Sequence, residues 1–554
     1  MFKRAGLVAI ASTAVLFGCD SGDINIQPQT NVTNSNNTTQ TGGGSGANNP
    51  CASRTNSSGQ TIAGSVDGDG NCVYSPAFAD AGNRITTDIT FPALANGAAH
   101  IFEGSLFIGE TYDTDAELAN ANIAQGGDGP TLTIEAGATL AWQSSADFLI
   151  INRGSQIFAV GRSDAPITLT SVSDVNGTVG PEDVQQWGGV VINGFGVTNA
   201  CAYTGSVAGG DLVTTDCHVD AEGAAGLDES QYGGDNNDDS SGRLEFVVVK
   251  HTGATVGNGD ELNGISFGGV GRNTIVDHLQ VYSTFDDGIE MFGGAVNFTN
   301  FVALYVRDDS IDIDEGYSGT ITNALVIQSA GIGNHCIEAD GIGSYSSRDQ
   351  ASRDQVIAQG INSRPVINNL TCIISPSPAQ GDFDPGAGWR LREGIYAQIS
   401  NSLVIDSFAA ADGTSTNDNY CLRIDNPETE AAAVSGDLAI TSTIFACQET
   451  FRSAEAEAAF DANGNVDATL VGLTNPTAAA DPDLQLLEGT PPYFSTEFAT
   501  SLVDGAAPAA TADPASNDPM TTFVGGVALS IPDWTAGWTY GLTDPNRGQP
   551  LWIE

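Results

Sequence analysis

Phe298-Thr299-Asn300, Ile321-Thr322-Asn323, Ile367-Asn368-Asn369 and Ile399-Ser400-Asn401 are four copies of one phrase, each followed by a mostly apolar run. His278 holds the same slot earlier in the chain and Ser442 holds it later. The slots at 278, 300 and 323 are 22 and 23 residues apart; the next, at 369, lies 46 further on and reads as two turns of 23. A fixed period of this length marks a solenoid. Within each repeat the runs are short and β-rich, as in Phe301-Val302-Ala303-Leu304-Tyr305 and Ala324-Leu325-Val326-Ile327, and Gly and Asp break them. The expected fold is all-β: a right-handed parallel β-helix with one coil of about 22–23 residues per repeat and irregular N- and C-terminal caps.

A second phrase fixes the register. Gly264-Ile265-Ser266-Phe267, Gly288-Ile289-Glu290-Met291, Ser310-Ile311-Asp312-Ile313 and Cys336-Ile337-Glu338-Ala339 align, and Gly394-Ile395-Tyr396-Ala397 and Cys421-Leu422-Arg423-Ile424 continue the series. Alternate residues of a strand face opposite ways. Ile265, Ile289, Ile311, Ile337, Ile395 and Leu422 are therefore expected to stack in the core. Ser266, Glu290, Asp312, Glu338, Tyr396 and Arg423 would form an outward column. Asn300, Asn323, Asn369 and Asn401 read as a structural ladder, because Asn tolerates the left-handed bend between sheets and its amide can bond along the coil axis.

The chain has 554 residues, with 18 Lys+Arg against 68 Asp+Glu, and only two lysines, Lys3 and Lys250. Phosphates would be repelled by such a surface, which excludes nucleic acid as a partner and argues against anionic membranes and polyanionic glycans. Cations, neutral sugars and basic protein faces stay open.

Lys3 and Arg4 precede a short apolar run, Ala5 to Phe17, that ends in Leu16-Phe17-Gly18-Cys19. This segment resembles a bacterial lipoprotein signal, with Phe17 bulkier than the usual small residue. The resemblance implies lipid attachment at Cys19 and a place in the cell envelope, at the outer membrane or cell surface, or release outside the cell. The run is too short to span a bilayer. Residues 1–18 read as signal peptide and 19–50 as lipid anchor and polar tether. Residues 51–130 read as an N-terminal cap, 131–450 as the parallel β-helix and 451–554 as a C-terminal cap region. In the last, Trp534, Trp538 and Tyr540 are expected to cover the exposed final coil. A short helix is expected at 453–460.

Apart from Cys19, eight cysteines remain: Cys51, Cys72, Cys201, Cys217, Cys336, Cys372, Cys421 and Cys447. An even number in an exported chain points to disulfides, and sequential pairing is the simplest pattern. Cys336 and Cys421 share one slot, and Cys372 and Cys447 share another. No CxxC spacing occurs, which argues against structural zinc.

Carboxylates carry the candidate chemistry. Asp286, Asp287, Asp308 and Asp309 lie on the bends before the outward column; Glu290, Asp312 and Glu338 lie in it; Asp314 and Asp340 lie just beyond. Clustered oxygens suit a hard cation, calcium first, and otherwise form a solvated acidic face. Asp67-Gly68-Asp69-Gly70-Asn71 and Asp461-Ala462-Asn463-Gly464-Asn465-Val466-Asp467 mimic parts of a calcium loop but lack its closing Glu. Asp235-Asn236-Asn237-Asp238-Asp239 reads as a flexible loop. Paired aspartates could serve a polysaccharide hydrolase, yet the Gly-His-Gly and Arg-Ile-Lys elements of polygalacturonases are missing; Arg423-Ile424-Asp425 is the nearest match. A lyase needs a base beside calcium; Arg390 and Arg392 could supply one but belong to no motif.

Leu132-Thr133-Ile134-Glu135-Ala136-Gly137, Ala165-Pro166-Ile167-Thr168-Leu169-Thr170-Ser171, Trp187-Gly188-Gly189-Val190-Val191-Ile192-Asn193-Gly194 and Asp533-Trp534-Thr535-Ala536-Gly537-Trp538-Thr539 are similar to phrases of a family of bacterial β-helix lipoproteins, often found beside TonB-dependent receptors. A looser similarity is to extracellular lipoproteins made under phosphate starvation. The resemblance implies the fold, a membrane contact through the lipid anchor, and an outer-membrane receptor or glycan as partner. The chain therefore reads as a cell-surface binding or scaffold module rather than an enzyme, with a carbohydrate-active enzyme as the alternative.

Overall fold

The computed structural model describes residues 49–56, 58–221, 230–255, 261–378, 385–405, 419–447, 449–452, 466–470, 493–494, 523–528 and 531–554. Cys19, the signal segment, most of the tether, the expected helix at 453–460 and residues 461–465 of the second acidic loop lie outside the described residues.

From Cys72 onward, among the described residues, short strands stack in parallel in two sheets of 10 and 16 strands, with Ser65–Val66 adding an antiparallel edge to the larger, and the chain alternates between them. This is a parallel β-helix. The aliphatics expected inside do stack: Ile265 on Ile289, Ile289 on Ile311, and all are fully buried. Strands of the larger sheet, such as Asn297–Leu304 and Thr320–Ile327, bend midway. At the bend Asn300, Asn323, Asn369 and Asn401 take φ of 58°, 57°, 59° and 52°, and Phe246, His278 and Ser442 fill the slot at 50°, 54° and 49°. An L-residue pays a steric cost there that Asn tolerates better than most. Asn323 donates its amide to Asn300 Oδ1 at 3.2 Å, and Asn300 donates to Asp277 Oδ1 at 2.9 Å. Asn369 departs from this axial pattern and donates to the Phe523 carbonyl at 2.6 Å.

Four expectations are corrected. First, Gly394-Ile395-Tyr396-Ala397 is not a coil strand. The partner of the Ile337 strand is Ala387–Arg392, with Ile337 opposite Trp389 and Glu338 opposite Arg390. Trp389 takes a slot that aliphatics hold elsewhere, and Ile395 lies buried in the following turn. Second, the 46-residue interval is one coil, because Thr320–Ile327 pairs directly with Val366–Ile373. Its extra length holds the helix Gln350–Gln359, capped by Asp349 at one end and by left-handed Gly360 at the other. Third, residues 51–130 are more than a cap: Cys72–Tyr74 pairs in parallel with His100–Phe102, and Leu106–Ile108 with Leu149–Ile151. Fourth, Trp534, Trp538 and Tyr540 lie against the side of the larger sheet, over coils near residues 246–327, rather than over the last coil.

The disulfides are Cys51–Cys72, Cys201–Cys217, Cys336–Cys372 and Cys421–Cys447, in sequential order. Cys336 lies on the smaller sheet and Cys372 on the larger, so their bridge crosses the coil interior, fully buried. It closes a loop of 36 residues, a length at which a crosslink contributes about 3–4 kcal/mol. Replacing Cys336 and Cys372 together by serine is expected to lower the thermal midpoint by several degrees in calorimetry, without loss of the β-rich circular dichroism spectrum.

Candidate functional site

Coil stacking brings one row of side chains onto the outer face of the smaller sheet. In register it reads Ser266, Glu290, Asp312, Glu338, Arg390, Arg423 and Arg452. Tyr396 is not in it. The row changes sign between neighbouring coils, with carboxylates on one side and guanidiniums on the other. At the boundary Arg390 Nη1 meets Glu338 Oε1 at 3.0 Å, and Arg392 meets Glu338 at 2.8 Å and Asp340 at 2.5 Å. Beyond it Asp425 lies between Arg390, at 3.2 Å, and Arg423, at 2.9 Å.

A second column runs along the bend before these strands. Asn263, Asp287 and Asp309 each use Oδ1 to accept the backbone N–H of the residue one coil on: Asp287 at 3.2 Å, Asp309 at 3.0 Å and His335 at 2.7 Å. The column ends on a buried ring. His335 Nδ1 bonds Asp309 Oδ1 at 2.8 Å, and Nε2 bonds the Tyr420 hydroxyl at 3.0 Å. With Nδ1–H donating to the carboxylate, Nε2 accepts from the phenol, so both nitrogens are engaged.

Two carboxylate trios follow, Asp286-Asp287-Asp308 and Asp287-Asp309-Asp312, each with one oxygen per residue within 4.8 Å of the others. Oxygens 2.3–2.6 Å from a single calcium ion can lie no farther apart than about 5 Å. Asp287 belongs to both trios. Asp309, His335 and Glu338 also converge, while the two trios are all-oxygen sets suited to a hard cation.

The electrostatics agree with that chemistry. Burial, reinforced by neighbouring carboxylates, pushes Asp287, Asp309, Asp312 and Asp314 well above the usual carboxylate range, and Asp308 upward. Arg392 is held above its ordinary value: burial opposes its charge, but Asp340 and Glu338 outweigh burial. Burial, with Asp340 nearby, pushes Glu393 up to about 7. The nine expected ligands thus divide. Asp286, Asp287, Asp308, Asp309 and Asp312 converge; Glu338 and Asp340 are neutralised by arginines; Glu290 accepts from Asn263 at 2.5 Å; Asp314 accepts the Glu315 N–H at 2.5 Å. Asn263, His335 and Tyr420 are missed by sequence reasoning, although Asn263 shares the slot of Asp287 and Asp309.

The Asp67 loop is closed on itself. Asp67 bonds the N–H of Asp69 and Asn71 and the Asn71 amide, at 2.8–2.9 Å. The 235–239 loop, expected to be flexible, is knitted in: Asp239 is buried and accepts from Gly126 N at 2.7 Å. Near the Cys201–Cys217 bridge, His218 Nδ1 lies 2.6 Å from Arg153 Nη2 and 3.2 Å from the Tyr112 carbonyl, and Nε2 lies 3.1 Å from Asp115. Asp115, Asp216 and His218 bring one ligand atom each within 4.8 Å of the others, on a more exposed face.

A family model described as a pectate-lyase like beta helix domain matches residues 109–539. Comparison with curated proteins and with solved structures gives no match.

Since Asp287, Asp309 and Asp312 titrate higher in the folded chain than unfolded, the native state binds the extra protons. Metal-free stability is therefore fullest below about pH 4 with respect to these groups and falls as pH rises through their folded values. Asp312→Asn is expected to raise the melting temperature of chelator-treated protein at pH 7 by about 2–4 °C and to leave it unchanged at pH 4, as read by scanning fluorimetry.

Proposed function

The chain belongs to the pectate-lyase like beta helix family, and from that premise we propose that it is a binding module of the cell exterior whose acidic face takes a divalent cation, calcium first. The observation that carries this reading is the convergence of buried Asp287 and Asp309 with half-buried Asp312. Like charges this close and this desolvated repel strongly. Protons relieve the repulsion at low pH, and a cation relieves it at neutral pH. Arginines perform that task by direct ion pairs at Glu338 and Asp340. The lipid anchor at Cys19 and the polar tether would hold the module at the outer membrane or cell surface, where a receptor or glycan is its partner.

A carbohydrate-active enzyme is the second reading. Arg390, one coil beyond the carboxylate row and 3.0 Å from Glu338, is the observation that favours it, since a lyase needs a base beside its cation. Unsaturated products released from an acidic polysaccharide, lost in Arg390→Ala, would select this reading over simple binding.

Calorimetric titration of calcium into protein beginning at residue 20 is the direct test. Micromolar binding is expected, with a rise in melting temperature because ligand binds only the native state, and loss of both in Asp287→Asn. Absence of heat and of any thermal shift would leave a solvated acidic face and refute the cation reading.

A further inference from the structure

The larger sheet has an outer face that the functional site does not use. Gln280, Val302, Leu325 and Thr371 follow one another across four coils in register. They form a floor with an apolar middle and a polar side chain at each end. The described residues 523–528 and 531–554 lie over it, and Val527, Trp538, Leu542, Leu551 and Ile553 share one buried cluster with Val302 and Leu325.

The polar ends of the floor read main-chain groups. Gln280 Oε1 accepts the Tyr540 N–H and Gln280 Nε2 donates to the Tyr540 carbonyl, both at 2.7 Å. Thr371 Oγ1 accepts the Gly526 N–H at 2.9 Å, and Asn369 donates to the Phe523 carbonyl at 2.6 Å. These sheet side chains are at most 1 % exposed. Lys250 Nζ, held by Asp174 at 2.7 Å, lies 4.1 Å from the centre of the Tyr540 ring. Two glycines let the segment come this close. A Cβ on Gly541, at φ 90°, would sit 2.6 Å from Tyr282 and Leu304, and one on Gly526 would sit 1.9 Å from the Ala324 carbonyl oxygen.

Little of this is strand pairing: no strand of the two sheets lies in the described part of 523–554, whose ladder-like contact is a single bridge residue at Ala528 and the Gly525 N–H bond to the Asn401 carbonyl at 2.8 Å. The segment is docked on a surface that the coils complete without it, through backbone reading and aromatic anchors, as peptides are recognised elsewhere. It is also nearly free of the chain's dominant repulsion. Of the formal net charge of −50 it carries only Asp533, Asp544 and Glu554 against Arg547.

We propose that this face is a peptide-binding groove and that the chain's own C-terminal segment, 523–528 and 531–554, fills it as a separable ligand. The test uses the full chain carrying Trp538→Ala and Tyr540→Ala, which weakens its own segment, and a fluorescent peptide of sequence 523–554. Saturable binding of one peptide per chain is expected, at least tenfold weaker for a peptide bearing the same two substitutions. No binding to the folded variant, or equal binding of both peptides, would overturn the proposal. If the variant loses its cooperative melt, hydrogen exchange on the unaltered chain decides. The Gly526 and Tyr540 amides are expected to exchange at least tenfold faster than those of Leu279 and Phe301, and a common rate would overturn the proposal.

Discussion

Stacking at about 4.8 Å is the constraint on which the rest of this molecule depends. In a parallel coil every side chain meets the residue of the same slot above and below it. An aliphatic slot becomes a continuous core, as from Ile265 to Ile289 to Ile311. A left-handed bend slot becomes a row of residues that accept positive φ, with Asn at four of the seven positions described. A carboxylate slot becomes a line of like charges.

That third consequence joins fold to function. A parallel register does not let Glu290, Asp312 and Glu338 avoid one another by turning away, so compensation must come from outside the row. The chain uses three kinds. The Asn263 amide serves Glu290, and backbone N–H groups serve Asp287 and Asp309. Arginines on the next coil serve Glu338 and Asp340. Between these lies the stretch where Asp286, Asp287, Asp308, Asp309 and Asp312 bring carboxylate oxygens within 4.8 Å of one another in two trios. There a proton or a bound cation would relieve the repulsion that remains, which is why we propose the acidic reach of the face, rather than its arginine reach, as the place for a ligand.

Much of this was legible because solenoid slots repeat their chemistry. Ile265, Ile289 and Ile311 announce the core, and the cysteine pairs follow from shared slots. Legibility failed where a slot changed residue type or a coil changed length. Trp389 in place of an aliphatic hid the true strand, and Ile395 six residues on supplied a false one. The helix at Gln350–Gln359 made one coil the length of two. The site was half visible. Its carboxylates are a matter of composition, but the sign change at Arg390 appears only once Trp389 is placed. The docked C-terminal segment left no periodic trace: Gln280 and Tyr540 meet across 260 residues, through backbone atoms that carry no side-chain signature.

The central claim is that stacking forces a set of buried carboxylates into a cation site. A crystal structure of the protein grown with calcium at neutral pH, with anomalous differences recorded, tests it most directly. A peak is expected within about 2.3–2.6 Å of oxygens from Asp287, Asp309 and Asp312. Those carboxylates bonded only to water and to each other, with calcium absent or bound elsewhere, would contradict it.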